Sequence, residues 1–191
     1  PLTLYNKFKG LCEPLLFKHQ SKDFVCVVIR PATVCGYSPR QRLDLSVNIL
    51  TNHAVNNNKV TVFGGEQQRP NLHIQDMCDL YKLLLELPDE KIAGETFNAG
   101  YQNQSIMEIA TIVKKVTQEE FTEKGEIPIV TTPSNDNRSY RITSDKIAAK
   151  LGFTPKRTIE AAVRDLCRAF RAEKLPNSMT DDRYYNVKVL K

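Results

Sequence analysis

The 191 residues are enough for one sizeable domain or two small lobes. A composition 41% hydrophobic and 26% charged is ordinary for a soluble globular protein, and a net charge of +5, without any run of five basic residues, gives no argument for nucleic acid. No window reaches the roughly 18 consecutive apolar residues of a membrane span, and no basic-then-apolar signal segment opens the chain.

The first residue is Pro1, not Met, as expected of a fragment or a processed chain. Cys12, Cys26, Cys35, Cys78 and Cys167 are odd in number and contain no C-x-x-C, which argues against a disulfide framework and a zinc site. They are expected as buried small hydrophobes in a reducing cytoplasm. Asn103-Gln104-Ser105 and Asn137-Arg138-Ser139 match the glycosylation sequon and are read as chance matches.

In chain order, Leu4 to Phe17 reads as a helix whose apolar face is Leu4, Phe8, Leu11, Leu15 and Leu16, with Pro14 expected to kink or end it. Phe24 to Ile29 is a continuous apolar, β-branched run, the pattern of a parallel strand buried on both faces, and Pro31 and Gly36 mark an irregular loop after it. A helix is expected over 43–55, a strand over 59–63 ending at Gly64-Gly65, a short extended piece over 72–74, and a helix over 75–87. Thr96 to Asn98 is a short strand, and Ser105 with Glu108 forms a capping box that opens the next helix. Ile127 to Thr131 is a further strand. Ser144 is expected to cap a short helix that stops at Gly152, and Thr158 to cap the last one. The polar tail after Leu175 is expected to be extended. Alternating helices and strands indicate an α/β fold, yet the chain hardly supplies the neighbours a strand at 24–30 needs.

Tyr5 and Lys9, four residues apart, share a helix face, so an ammonium can sit by a phenol. Nearby positive charge favours a phenolate, which suits acid–base work. Alone, Y-x-x-x-K is a common spacing.

Four stretches in order carry a resemblance. They are Tyr5-x-x-x-Lys9 with Glu13 four residues on; Val28-Ile29-Arg30-Pro31-Ala32-Thr33-Val34-Cys35-Gly36; Val62-Phe63-Gly64-Gly65 through Arg69 and His73 to Asp76; and Asp136-x-Arg138-x-x-x-Ile142 through Lys146 to Leu151-Gly152-Phe153-Thr154-Pro155. Together they resemble the extended short-chain dehydrogenase/reductases, the NAD-dependent epimerase/dehydratases of nucleotide sugars. The resemblance implies the C-terminal part of a Rossmann-like fold plus a small α/β substrate-binding lobe. Residues 1–40 would end the Rossmann-like domain, 41–175 would form mainly the lobe with 76–100 returning to the core, and 176–191 would be the tail. The family's G-x-x-G-x-x-G loop is not in this sequence, so a missing N-terminal Rossmann half is expected.

By resemblance, Tyr5 would exchange a proton with a sugar hydroxyl and Lys9 would hydrogen-bond the nicotinamide ribose of NAD or NADP. Pro31 would lie by the nicotinamide. Thr33 would touch substrate where the family often has Asn, and Cys35 stands where Tyr is common. Arg69 and Arg138 would bind the diphosphate of a nucleotide-diphosphate sugar, with Arg141 a weaker candidate. His73 is expected to be structural and Asp76 to cap the helix that follows. A homodimer is expected through the Tyr5 helix. The alternative is a truncated, non-catalytic relative that binds a nucleotide sugar, a protein or RNA.

Overall fold

The computed structural model describes residues 4–134 and 138–189. Helix α1 (Leu4–Phe17) runs on through Pro14, so the proline does not end it. Strand β1 (Val27–Pro31) pairs in parallel with β5 (Glu95–Ala99), Val27 opposite Glu95 and Pro31 opposite Ala99. The expected doubly buried strand is corrected here. Phe24 and Val25 lie before it, Val27 to Ile29 are half-buried, and Arg30 and Pro31 are exposed. Among the described residues β1 has a strand on one edge only, which leaves its apolar run half-covered.

The expected loop after Pro31 contains a strand, β2 (Thr33–Cys35). Helix α2 (Ser46–Asn57) and β3 (Val60–Phe63) follow, and β4 (Gln68–His73) is longer than its apolar residues suggest. Strand β2 pairs in parallel with β4, and β4 pairs antiparallel with β6 (Gln102–Ser105), a polar strand that no apolar run announces. Strand β3 pairs in parallel with β7 (Ile129–Thr132). The remaining helices are α3 (Ile74–Glu86), α4 (Asp89–Ile92), α5 (Ile106–Glu120), α6 (Asp145–Leu151), α7 (Ile159–Arg171) and α8 (Asn186–Val189).

Two cores result. Leu80 and Leu84 of α3, Phe97 of β5, Ile147 of α6 and Phe153 pack on one side of β1. Helices α2, α5 and α7 enclose the other core over β3, through Val47, Leu50, Val60, Val62, Ile109, Val113, Ile159 and Val163. The capping box at Ser105 and Glu108 forms on both sides, and Thr158 caps α7 by accepting from the Ala161 N–H. Gly152 ends α6 at φ 68°, a conformation glycine adopts without strain.

Two expected caps do other work. Ser144 Oγ makes no cap to α6; it donates to Gly100 O at 2.7 Å and accepts from Gly100 N at 2.8 Å. Asp76 lies inside α3 and caps nothing, while His73 is the N-cap, its Nδ1 accepting from the Gln75 N–H at 3.1 Å. The tail is folded rather than extended. Leu175 and Tyr184 pack on Leu43 and Leu166, because their apolar rings and branches find cover there, and Leu43 N–H donates to Tyr184 O at 2.9 Å. Cys26, Cys35 and Cys167 are buried as expected, but Cys12 and Cys78 are exposed. Burial pushes the Cys35 thiol up to about 12, so it is inert near neutral pH.

Candidate active site

Tyr5, Lys9 and Glu13 form one stripe of α1, stepping four residues, or about 6 Å, at a time. The stripe is tied down at Glu13, whose carboxylate accepts two hydrogen bonds from the Arg30 guanidinium of β1, at 2.9 Å from Nε to Oε1 and closer from Nη2 to Oε2. Those bonds hold the Glu13 carboxyl below its ordinary range. A second tether lies just beyond α1, where Gln20 Oε1 accepts from Cys26 N–H at 2.7 Å. Tyr5 and Lys9 therefore project beyond a fixed point near the carboxyl end of β1. Both are exposed, and Lys9 Nζ lies 5.4 Å from the centre of the Tyr5 ring.

Pro31 ends β1 and is exposed; Ala32 N–H donates to Ala99 O at 2.7 Å, and Thr33 begins β2, half-buried. Thr33 stands opposite Asn71 on β4, and Arg69 lies two residues earlier on that strand, roughly 7 Å along it. Arg69 Nη1 donates to the Arg138 carbonyl. Around it, Gln68 N–H donates to Ser139 Oγ at 3.0 Å and Tyr140 N–H to Gln68 O at 3.3 Å. The Arg69 guanidinium also sits 5.8 Å from the Tyr140 ring centre. Thus β2 and β4 bring Thr33, Arg69 and Arg138 to one end of a small sheet, and the Pro31–Thr33 link joins that end to β1. Asp136 of the fourth stretch lies outside the described residues.

A cavity of about 220 Å³ lies beside Arg69, between α2 and the end of β3. A larger hollow of about 580 Å³, between Gly100 and Pro155, includes Arg141 but none of Tyr5, Lys9, Pro31, Thr33, Arg69 or Arg138.

Sequence reasoning missed the partner of Glu13, although a carboxylate on the Tyr5–Lys9 stripe and Arg30 at a strand end were both in view. It also missed the work of Asp76. That buried carboxylate accepts from Lys156 N and Arg157 N at 3.1 and 2.8 Å and from Arg157 Nη1 at 2.6 Å, fixing the turn that leads into α7. His73 is structural as expected, buried with Nε2 3.3 Å from Asp165 Oδ2. Among the described residues no cluster of three or more His, Cys, Asp or Glu could hold a metal, and no helix is long and apolar enough to cross a membrane.

The family model for the NAD dependent epimerase/dehydratase family matches residues 1–100, just over half of the chain. The chain belongs to that family. A dTDP-glucose 4,6-dehydratase of Shigella flexneri is 25% identical over 135 residues, 68% of this chain and 37% of the relative. The structure of a UDP-glucose 4-epimerase from Thermotoga maritima, solved with UDP-glucose, superposes with a TM-score of 0.74 at 25% identity over 91% of this chain and 55% of that one. A dTDP-glucose 4,6-dehydratase of Bacillus anthracis, solved with NAD, has a TM-score of 0.74 at 17% identity over 95% of this chain and 56% of that one, a likeness of fold. The family member described here is thus α/β and Rossmann-like, and spans about two-fifths of that curated relative and about half of each solved structure.

Proposed function

We propose that the protein is the sugar-binding part of an NAD- or NADP-dependent enzyme that acts on a nucleotide-diphosphate sugar by epimerase or dehydratase chemistry. The observation that carries this reading is the Tyr5–Lys9–Glu13 stripe, anchored to β1 through Arg30, with its phenol and ammonium side by side and open to solvent.

In this reading the Tyr5 phenol exchanges a proton with a sugar hydroxyl, which oxidation of an alcohol requires. The Lys9 ammonium donates to ribose hydroxyls of the cofactor and keeps positive charge beside the phenol. Pro31 packs by the nicotinamide and Thr33 contacts the sugar. Arg69 and Arg138 bind the diphosphate, a task suited to guanidinium forks. The exposed Lys9 and Tyr5 and the uncovered end of β1 suit the nicotinamide ribose end of NAD or NADP, which when bound supplies hydride acceptance and return. The 191 residues hold no G-x-x-G-x-x-G to cradle its pyrophosphate. We therefore assign that cradle to a further Rossmann half against the open edge of β1, and read the 191-residue chain alone as inactive.

Residues 1–40, with 76–100, belong in this reading to the cofactor half, and 41–175 otherwise to the substrate lobe, with Leu72, Ile147 and Phe153 of the lobe packing into the core of the cofactor half. The exposed face of Leu4, Phe8, Leu11 and Leu15 supports a homodimer through α1, and five unpaired cysteines support a cytoplasmic setting. The lack of a glycine-rich loop favours a second reading for the isolated chain, a binding module without chemistry.

Tyr5→Phe in an enzyme that carries the upstream half should lower turnover about 100-fold or more with the fold retained by circular dichroism. Wild-type turnover in that variant would overturn the proton role. Nicotinamide fluorescence tests the rest: an enzyme with the upstream half should bind cofactor and the isolated chain should not. Tight binding by the isolated chain would refute the missing-half reading, and no binding by the longer enzyme would refute the hydride-transfer reading.

A further inference from the structure

The tail folds back onto the loop that joins β2 to α2, and a cavity of about 440 Å³ lies between them. Its walls include Tyr37 and Gln41 of the loop, Lys174 and Pro176 after α7, and Arg183 and Tyr184 of the tail. None of Tyr5, Lys9, Pro31, Thr33, Arg69 or Arg138 lines it. The three stretches are distant in sequence and are fastened to one another directly. Leu43 N–H donates to Tyr184 O at 2.9 Å, Asn186 N–H to Asp44 Oδ2 at 3.0 Å, and Arg40 Nη2 to Asn186 Oδ1 at 3.2 Å. Gln41 is buried; it accepts from Ser38 N–H at 3.0 Å and donates to Gly36 O at 3.3 Å and Arg42 O at 3.0 Å. Tyr184 Oη donates to Pro176 O at 3.2 Å. After α7 the chain turns at Glu173, left-handed at φ 54°, and Lys174 N–H closes back on Ala169 O at 3.0 Å. The walls are therefore set by the protein's own bonds, and a ligand need not order them.

The cavity is cationic. Arg40, Lys174 and Arg183 line it, and among the described residues no acidic side chain does. Arg183 is paired with Asp181 at 2.8 Å. Arg40 and Lys174 have no carboxylate partner among the described residues, and Lys174 Nζ stands 5.6 Å from the centre of the Tyr37 ring, a contact that leaves its charge in place. Elsewhere on the protein the pairing is fuller: Arg157 and Arg164 each hold two carboxylates. Two uncompensated cations on one cavity repel each other, and a dianion between them reverses the sign of that energy. A phosphate monoester carries nearly two negative charges near neutral pH, and its oxygens match the fork of Arg40 and the three donors of Lys174. Between the cations the walls are apolar, with the rings of Tyr37 and Tyr184 beside Pro39, Leu175 and Pro176. The volume is that of a small-molecule site, larger than a bare phosphate fills.

We propose that this cavity is a second anion site, which takes a small organic phosphate whose apolar ring lies against Tyr37 and Tyr184 while its charged oxygens meet Arg40 and Lys174. It shares no residue with the candidate diphosphate site at Arg69 and Arg138, so it stands independently of the nucleotide-sugar reading.

The test is amide NMR titration of the 191-residue chain with phenyl phosphate, benzoate and inorganic phosphate. Phenyl phosphate should shift the Tyr37, Arg40, Lys174 and Tyr184 amides. It should bind about tenfold or more tighter than inorganic phosphate, which lacks the ring, and than benzoate, which carries one charge fewer. Lys174→Ala and Arg40→Ala should each weaken phenyl phosphate about tenfold. Tyr37→Ala should weaken phenyl phosphate and leave inorganic phosphate unchanged. Arg69→Ala should leave the shift of the Lys174 amide as it is in wild type. Lys174 is exposed, so its variant carries the test if Tyr37→Ala fails to fold. Three results overturn the inference: shifts confined to amides around Arg69, phenyl phosphate bound no tighter than inorganic phosphate or benzoate, or wild-type affinity in Lys174→Ala. Each of them leaves the nucleotide-sugar reading where it stands.

Discussion

Helix α7 buries Ile159, Ala162, Val163, Leu166, Cys167 and Ala169, whereas α1, one residue longer and carrying a similar apolar stripe, has no buried residue. Leu4 of α1 is 71% exposed and Phe8 63%; Leu166 of α7 is fully enclosed. The period of the apolar residues states which side of a helix seeks cover, and says nothing of what provides it. For α7 the cover is α2 and α5 over Ile159, Val163 and Cys167, and Leu43, Leu175 and Tyr184 over Leu166 and Ala169. For α1 the described residues provide the Glu13–Arg30 pair and the Gln20 bond beside its carboxyl end, and little else. The candidate proton-transfer groups stand on the helix that is held at one end and open along its length.

The sharpest way to break this contrast is in α7. Leu166→Ala should cost about 2–5 kcal/mol in urea unfolding, from lost burial and a residual cavity. A loss under about 1 kcal/mol would put α7 in the same class as α1. Next in size is Asp76→Ala, which removes an acceptor from two backbone N–H groups and from Arg157 at the entry to α7. With Arg157 partly solvated, about 2 kcal/mol is expected by the same measurement. An unchanged midpoint would mean that the turn into α7 holds without it.

Acid should act on the two regions in different windows. Burial, the largest cause, holds His73 below its ordinary value of 6.5, despite the nearby Asp165 and Asp76 carboxylates that favour the charged form. The unfolded chain then binds more protons just below that value, so stability falls as pH drops below 6.5, while the α3 cap made by His73 Nδ1 persists until pH falls through the lowered folded value. Glu13 is held below 4.5 by the hydrogen bonds from Arg30, so its tether is intact above that pH and is lost as pH falls through the lowered value. The expected record is a urea midpoint that begins to fall near pH 6.5, and faster amide exchange in α1 only below about pH 4.5. A flat midpoint from pH 7 to 5.5 would remove the His73 role. The smallest effect should be Phe8→Ala in the 191-residue chain, within about 0.5 kcal/mol. A larger loss would mean that α1 is covered after all.

Much of this was legible along the chain. Helices of 3.6-residue period, the Ser105–Glu108 box, the Thr158 cap and the Gly152 stop depend on neighbours a few residues apart, and all form. Strand β6 was not legible, because Gln102 to Ser105 is polar and becomes a strand only through its pairing with β4. The caps expected of Ser144 and Asp76 failed for a similar reason. Each side chain had a better partner distant in sequence, Gly100 for one and the Lys156–Arg157 turn for the other.

By itself the sequence determined that the chain is α/β, which residues form most of its helices, and, through the stretches within residues 1–100, its family, since these depend on local pattern and residue type. Tertiary structure alone decided that Glu13 meets Arg30, that the register of β2 on β4 brings Thr33 near Arg69, and that Arg69 meets the Arg138 carbonyl. Those pairings join residues 17 to 69 positions apart. Their loop-closure entropy is recovered only when whole faces pack together, which no local spacing encodes.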